Sequence, residues 1–227
     1  MKTNPTNRFQ SAVRLLTVIL AGCSVALQAT AAIYTWDADG TAPLNDGAGT
    51  WNATGGTNWV NGATYGVWGN TTADEAIFGV NNGAADAITV GTVTANKLTF
   101  NAPGSASYTL ASGTIALGGT NPTLTVNTNA WINSAITSTA ATAFVRGAGT
   151  LSLGGTATFT GGQGLYRYVP ANSTGGFTVV AGANITAKNF SLMQDNVSNL
   201  TQTYNQTGGT VNVTGEFGLN QRRDQYP

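Results

Sequence analysis

The chain of 227 residues holds 30 glycines, 37 threonines and 23 asparagines, about 40% of its length, against nine basic and nine acidic side chains and no histidine. Lacking an imidazole, it has no Ser-His-Asp triad, no Cys-His pair and no histidine-ligated metal. Hydrophobic residues make up 41%, enough to bury one core, so it is neither a charged disordered tail nor a membrane bundle.

Lys2, Arg8 and Arg14 precede the apolar run from Leu15 to Gly22, and Ala29-Thr30-Ala31 supplies a small-x-small cleavage signature. Residues 1–31 are therefore predicted to be a secretory signal peptide cleaved after Ala31. The run falls short of the ~20 residues of a spanning helix and is broken by Gly22, Cys23 and Gln28. Inside it, Leu20-Ala21-Gly22-Cys23 resembles a bacterial lipobox, which would move cleavage and acylation to Cys23 and make the product a lipoprotein. Cleavage after Ala31 removes the single cysteine, leaving no disulfide. Nine acidic and six basic side chains then remain, a charge of −3, which argues against nucleic acid or anionic lipid as a partner.

Residues 32–80 contain Trp36, Trp51, Trp59 and Trp68, four of the five tryptophans. Bulky aromatics over a first rung would blunt the raw end of a stack, so this segment is predicted to be an N-terminal cap. Alternatively the indole faces form a carbohydrate platform, with Trp51, Trp59 and Trp68 as ligand candidates. Asp37, Asp39 and Asp46 form the densest acidic group. They are a weak Ca²⁺ candidate, lacking a third regularly spaced ligand and the bidentate Glu of a calcium loop. No other metal and no cofactor is implied. Asp74 and Glu75 are adjacent, so in a strand they point to opposite faces and do not form an acid/base pair.

From residue 81 onward the apolar pattern has period two: Ile88/Val90, Leu98/Phe100, Tyr108/Leu110, Ile115/Leu117, Leu124/Val126, Leu151/Leu153, Ala157/Phe159, Phe177/Val179 and Val211/Val213. Each pair predicts a short half-buried strand. Turns are marked by Asn81-Asn82-Gly83, Ala102-Pro103-Gly104, Gly118-Gly119, Gly154-Gly155 and Gly208-Gly209. Strand pattern alone allows a β-sandwich or a β-solenoid. Recurrent Gly-Gly-Thr at 55, 118, 154 and 208, Gly-Ala-Gly-Thr at 47 and 147, and asparagines able to bond one rung to the next favour the solenoid. Leu165-Tyr166-Arg167-Tyr168-Val169-Pro170 is predicted to be an exposed aromatic and basic loop, with Tyr166 and Tyr168 as docking candidates.

The stretch Phe144-Val145-Arg146-Gly147-Ala148-Gly149-Thr150-Leu151-Ser152-Leu153-Gly154-Gly155, followed by Thr156-Ala157-Thr158-Phe159-Thr160-Gly161-Gly162, resembles the autotransporter-associated β-strand repeat. Upstream, Tyr34-Thr35-Trp36-Asp37, Gly49-Thr50-Trp51, Ala76-Ile77-Phe78-Gly79 and Leu98-Thr99-Phe100-Asn101 resemble the leader that precedes such repeats. The resemblance implies a right-handed parallel β-helix passenger, exported and displayed at the cell surface or outer membrane. The translocator barrel usual in that family is absent from residues 214–227, so residues 81–227 are read as a C-terminally incomplete solenoid.

The expected architecture is thus all-β: a signal peptide, an aromatic cap and eight to ten rungs of ~20 residues. The expected function is non-enzymatic adhesion or structural display toward a surface or glycan ligand, with exposed strand edges open to edge-to-edge self-association. A carbohydrate-binding module using the tryptophans and a β-helix polysaccharide lyase are the alternatives. For a lyase only Lys97, Arg146, Arg167 and Lys188 offer cations in the body of the chain, and no residue is assigned as catalytic.

Overall fold

The structure is a computed structural model and describes residues 30–194 and 201–222. The expected signal peptide, with Cys23, lies outside the described residues apart from Thr30 and Ala31. Among the described residues every regular element is a strand, as expected where Gly, Thr and Asn interrupt any helical period and threonine, valine and isoleucine suit a pleated, half-buried surface.

Five strands come first: β1 (Ile33–Trp36), β2 (Gly49–Trp51), β3 (Trp59–Asn61), β4 (Thr64–Gly66) and β5 (Glu75–Phe78). The rest arrive in triplets. These are β6 (Ala87–Val90), β7 (Thr92–Ala95) and β8 (Lys97–Phe100); β9 (Thr109–Ala111), β10 (Thr114–Leu117) and β11 (Thr123–Val126); β12 (Ala130–Ile132), β13 (Ala135–Ser138) and β14 (Thr142–Arg146). They continue as β15 (Thr150–Leu153), β16 (Thr156–Phe159) and β17 (Gly164–Tyr168); β18 (Thr174–Val179), β19 (Asn184–Ala187) and β20 (Phe190–Gln194); β21 (Thr201–Gln206), β22 (Thr210–Val213) and β23 (Phe217–Arg222).

Each triplet gives one strand to each of three sheets. Sheet A runs β23-β20-β17-β14-β11-β8-β5-β1-β3-β4, sheet B runs β2-β6-β9-β12-β15-β18-β21, and sheet C runs β22-β19-β16-β13-β10-β7. Every pairing between one triplet and the next is parallel, as are β1–β5, β2–β6 and β5–β8; only β1–β3 and β3–β4 are antiparallel. This is a three-sided parallel β-solenoid, and the three sheets rule out the two-sheet sandwich alternative. Coils begin at Ala87, Thr109, Ala130, Thr150, Thr174 and Thr201, so each takes 20 to 27 residues and five full turns separate the first from the sixth. The expected eight to ten rungs do not form among the described residues. Residues 33–78 supply no strand to sheet C and spend two short strands on an antiparallel hairpin at the end of sheet A.

Stacking in register turns the period-two pattern into columns. Inside sheet A, Ala76, Leu98, Leu124, Val145, Arg167 and Leu192 lie above one another. Inside sheet C the column is Val93, Ile115, Ile136, Ala157, Ile185 and Val211. The predicted pairs from Ile88/Val90 to Phe177/Val179 are all buried, whereas Val211 and Val213 on the sixth coil are only partly covered. Burying the larger of these side chains contributes about 1.5–3 kcal/mol each.

Some asparagines do bond between coils, as Asn127 Nδ2 donates to Asn101 Oδ1 at 2.9 Å. More often the side-chain oxygen accepts a backbone N–H of the following coil: Thr94 to Asn70 (2.6 Å), Thr150 to Asn129 (3.0 Å) and Glu216 to Asn189 (2.9 Å). Corners also need close approach. Gly147 sits at φ +103°, and a Cβ there would run into the Val126 carbonyl of the coil before it, so only glycine fits.

Candidate ligand-contact surface

The three aspartates near the N-terminus act as backbone acceptors. Asp46, 6% exposed, takes the Val80 N–H (3.0 Å) and the Tyr108 hydroxyl (2.7 Å) on Oδ1, and the Asn82 (2.9 Å) and Gly104 (3.2 Å) N–H groups on Oδ2. It pins the same corner, between sheets A and B, in two successive coils. Asp39 accepts from the Thr41 N–H and hydroxyl (both 3.0 Å) and from Asn45 Nδ2 (2.8 Å), and the Asn45 bond does most to hold its carboxyl below the usual range. Asp37 accepts the Asn45 N–H at 2.8 Å on Oδ1, while its buried Oδ2 has no partner. Burial pushes its pKa up. Among the described residues no three acidic, Cys or His side chains converge as a metal would require, so Asp37, Asp39 and Asp46 are not gathered into a calcium site.

The four tryptophans of residues 32–80 are turned inward. Trp36 and Trp51 are 0% exposed, Trp68 1% and Trp59 3%. Trp51 meets Trp59 at 5.3 Å and Trp68 at 5.1 Å, Trp59 meets Trp68 at 4.9 Å, and Trp51 and Trp59 also meet Phe78, at 5.7 and 5.5 Å. Trp36 and Trp68 donate their ring N–H groups to the Gly47 and Thr94 carbonyls. This edge-to-face cluster fills the core next to the antiparallel hairpin. With Trp51, Trp59 and Trp68 spent on it, none of these three offers its indole face to a sugar.

Leu165–Val169 corrects the expected loop. It is almost wholly strand β17 and follows the period of its neighbours: Leu165, Arg167 and Val169 point inward, each 1% exposed, and Tyr166 and Tyr168 point outward. The arginine misleads a hydropathy reading because it occupies a core column. Its NH1 donates to the Tyr168 carbonyl (2.7 Å) and its NH2 to the Gly147 (2.9 Å) and Gly149 (2.8 Å) carbonyls. Its Nε has no partner. Burial lowers the guanidinium pKa to about 10, which leaves it charged at neutral pH. The missing Cβ of Gly175 makes room for NH2. A lyase would therefore lack this cation in any groove.

On the outer face of sheet A the same alternation assembles a cluster that no sequence spacing announces. Phe144 and Arg146 on β14 stand beside Tyr166 and Tyr168 on β17; Phe144 is in register with Tyr166. Phe144 lies 5.6 Å from Tyr168 and 6.3 Å from Tyr166, ring centre to ring centre. The Arg146 guanidinium carbon lies 4.8 Å from the Phe144 ring centre and 5.3 Å from that of Tyr168. Arg146 is exposed, Phe144 and Tyr168 are half-buried, and Tyr166, at 5%, is buried. Burial, with a smaller contribution from Glu216, raises the Tyr166 pKa. The structure thus brings both tyrosine candidates together with Phe144 and Arg146, which the repeat motif contains but sequence reasoning did not single out for binding. The signal that could have found them is period two carried unbroken through 142–146 and 164–168.

Beyond the next corner, sheet B carries a shallow depression of about 330 Å³ lined by Asn129, Thr150, Gly176, Thr178, Thr203 and Asn205 among others. In the outward row Thr150-Gly176-Thr203 the glycine supplies no side chain, and that gap forms the floor. Its walls are hydroxyl and amide groups.

No protein-family profile and no solved structure matches the chain. A curated relative, the adhesin BmaC autotransporter of Brucella suis biovar 1 (strain 1330), is 36% identical over 155 residues, covering 65% of this chain and 4% of the relative. The chain therefore spans a small fraction of that protein's length. The match and the parallel β-solenoid together fit a passenger-type, autotransporter-like domain.

Proposed function

We propose that this passenger-type, autotransporter-like domain is an exported, non-enzymatic rod whose outer faces make adhesive contacts at the cell surface or outer membrane. The observation that carries the reading is its likeness to part of an autotransporter adhesin. The fold suits the role, because outward side chains recur once per coil along each sheet and give a long contact face without a catalytic cleft. Lys2, Arg8 and Arg14 ahead of an apolar run, with Ala29-Thr30-Ala31 after it, support export by signal cleavage at Ala31 or by acylation at Cys23. In this reading residues 32–80 cap the stack and residues 81–227 are the displayed solenoid.

The test uses beads coated with the purified mature chain, applied to cultured epithelial cells and to immobilised extracellular matrix. Retention well above that of beads bearing an inert protein is the expected result. Retention equal to the inert control overturns the adhesive role.

A further inference from the structure

The geometry points to a binding site for uronate-bearing polysaccharide on the outer face of sheet A, centred on Arg146 with Phe144 and Tyr168. This inference rests on the adhesive reading and names the ligand class for it. Arg146 is exposed and has no ion pair with any described residue; the contacts that hold it are the two ring faces. A guanidinium stacked in this way has its stem and plane fixed before any ligand arrives. Less freedom is then lost when its donor fork closes on a carboxylate. Bidentate pairing with a planar carboxylate is the contact that fork makes best.

The surroundings select a sugar as the bearer of that carboxylate. The two outward rows of sheet A are Glu75-Lys97-Thr123-Phe144-Tyr166-Ser191 and Ile77-Thr99-Thr125-Arg146, the second continued by Tyr168. Outside the cluster these rows bring the Thr99 and Thr125 hydroxyls toward solvent. The acid in these rows, Glu75, lies in register with Lys97 and accepts the Thr99 hydroxyl at 2.8 Å, so it is spent three strands away from Arg146. Successive coils are about 4.8 Å apart, a spacing comparable with the length of one pyranose residue. A glycan laid along the rod therefore sets consecutive rings over consecutive strands. The exposed edges of Phe144 and Tyr168 meet the C–H face of one ring, Arg146 takes its carboxylate, and the half-buried Thr125 meets the hydroxyls of its neighbour. An acidic peptide brings the carboxylate but neither this repeat nor a C–H face to lay against the ring edges.

The experiment measures binding of the full mature chain to hyaluronan and polygalacturonate fragments, with dextran and poly-L-glutamate as controls. Melting temperatures are recorded for every variant. The expected result is binding to at least one uronate polymer that weakens with salt and is about tenfold weaker in Arg146→Gln, one lost charge-assisted pair. Tyr168→Ala should weaken it similarly, while Tyr168→Phe, which keeps the ring, binds as the native chain does and guards against a folding artefact. Failure to bind either uronate polymer, binding of dextran or poly-L-glutamate as tight as of uronate, or undiminished binding by a folded Arg146→Gln variant overturns the site. Beads that adhere to cells while the chain binds no uronate leave the adhesive reading standing and remove this one. Uronate binding without bead adhesion does the reverse.

Discussion

Substituting Asp46 tests how the N-terminal strands are tied to the solenoid. Its carboxylate accepts four hydrogen bonds, three from backbone N–H groups in successive corners and one from Tyr108. In Asp46→Asn one oxygen becomes a donor. The least costly arrangement sets the new NH₂ toward Tyr108, whose hydroxyl can turn to accept, and orphans only the Val80 N–H. Losing one bond and the charge assistance costs about 1–3 kcal/mol. Asp46→Ala strands all three N–H groups and the hydroxyl, which costs about 4–6 kcal/mol once partial wetting of the corner is allowed. Urea unfolding of the three proteins, followed by tryptophan fluorescence, reads this directly, because the buried indoles pack on Phe78 and Phe78 on Tyr108. The expected order is native, then Asn, then Ala. An Asn variant as stable as the native chain, or an Ala variant within about 1 kcal/mol of it, refutes the assignment of Asp46 as a structural acceptor.

Three further outcomes follow from the same geometry. Arg167→Ala leaves a cavity and unpaired carbonyls and should cost about 3–5 kcal/mol. Arg167→Met refills the aliphatic column and sheds a desolvated charge, so it should recover at least half of that in thermal melts; a Met variant as unstable as the Ala variant would mean the guanidinium bonds outweigh packing. Gly147→Ala, at φ +103° against the Val126 backbone, should lose ~3 kcal/mol or more or fail to accumulate, whereas Gly55→Ala, at φ +78° in open space, should lose ~1 kcal/mol; equal losses would contradict the close-approach reading. The raised pKa of Asp37 means the folded state binds this proton more tightly than the unfolded chain. Its burial cost is present at neutral pH and is relieved as pH falls through the carboxylate range. Asp37→Asn removes that term, so its melting temperature at pH 7 should equal or exceed the native value, and a clear drop at pH 7 would count against it.

Most of the solenoid was legible because its signal is local. Leu98/Phe100 or Ile115/Leu117 with glycine turns on either side can only be short strands with one buried face, and the Gly-Ala-Gly-Thr copies pointed to repetition. The coil count was not legible, because nothing local distinguishes a strand that joins a three-sided coil from one that, like Trp59–Asn61, turns back in a hairpin. The tryptophans show the limit for sites. Their number marked residues 36–68, but burial, which decides between a core cluster and a sugar platform, depends on what lies across the solenoid. Arg167 and Arg146 carry the same charge on neighbouring strands and end on opposite sides of the wall, one in the core and one in solvent. Only the register separates them.

The coil-by-coil pairing has a mechanical meaning. In each sheet the inter-strand hydrogen bonds join one coil to the next, so they lie along the rod and a pull on its two ends loads them lengthwise. Under such a load the chain unspools from an end, and a coil of 20 to 27 residues releases roughly 65–90 Å of slack as it parts. Coils that touch only their neighbours keep their shape while an outer one is lost. Force is thus dissipated in steps instead of reaching the surface contact whole. The Arg146 cluster, on β14 and β17 in the third and fourth of the six described coils, parts only after the described coils on one side of it have unspooled.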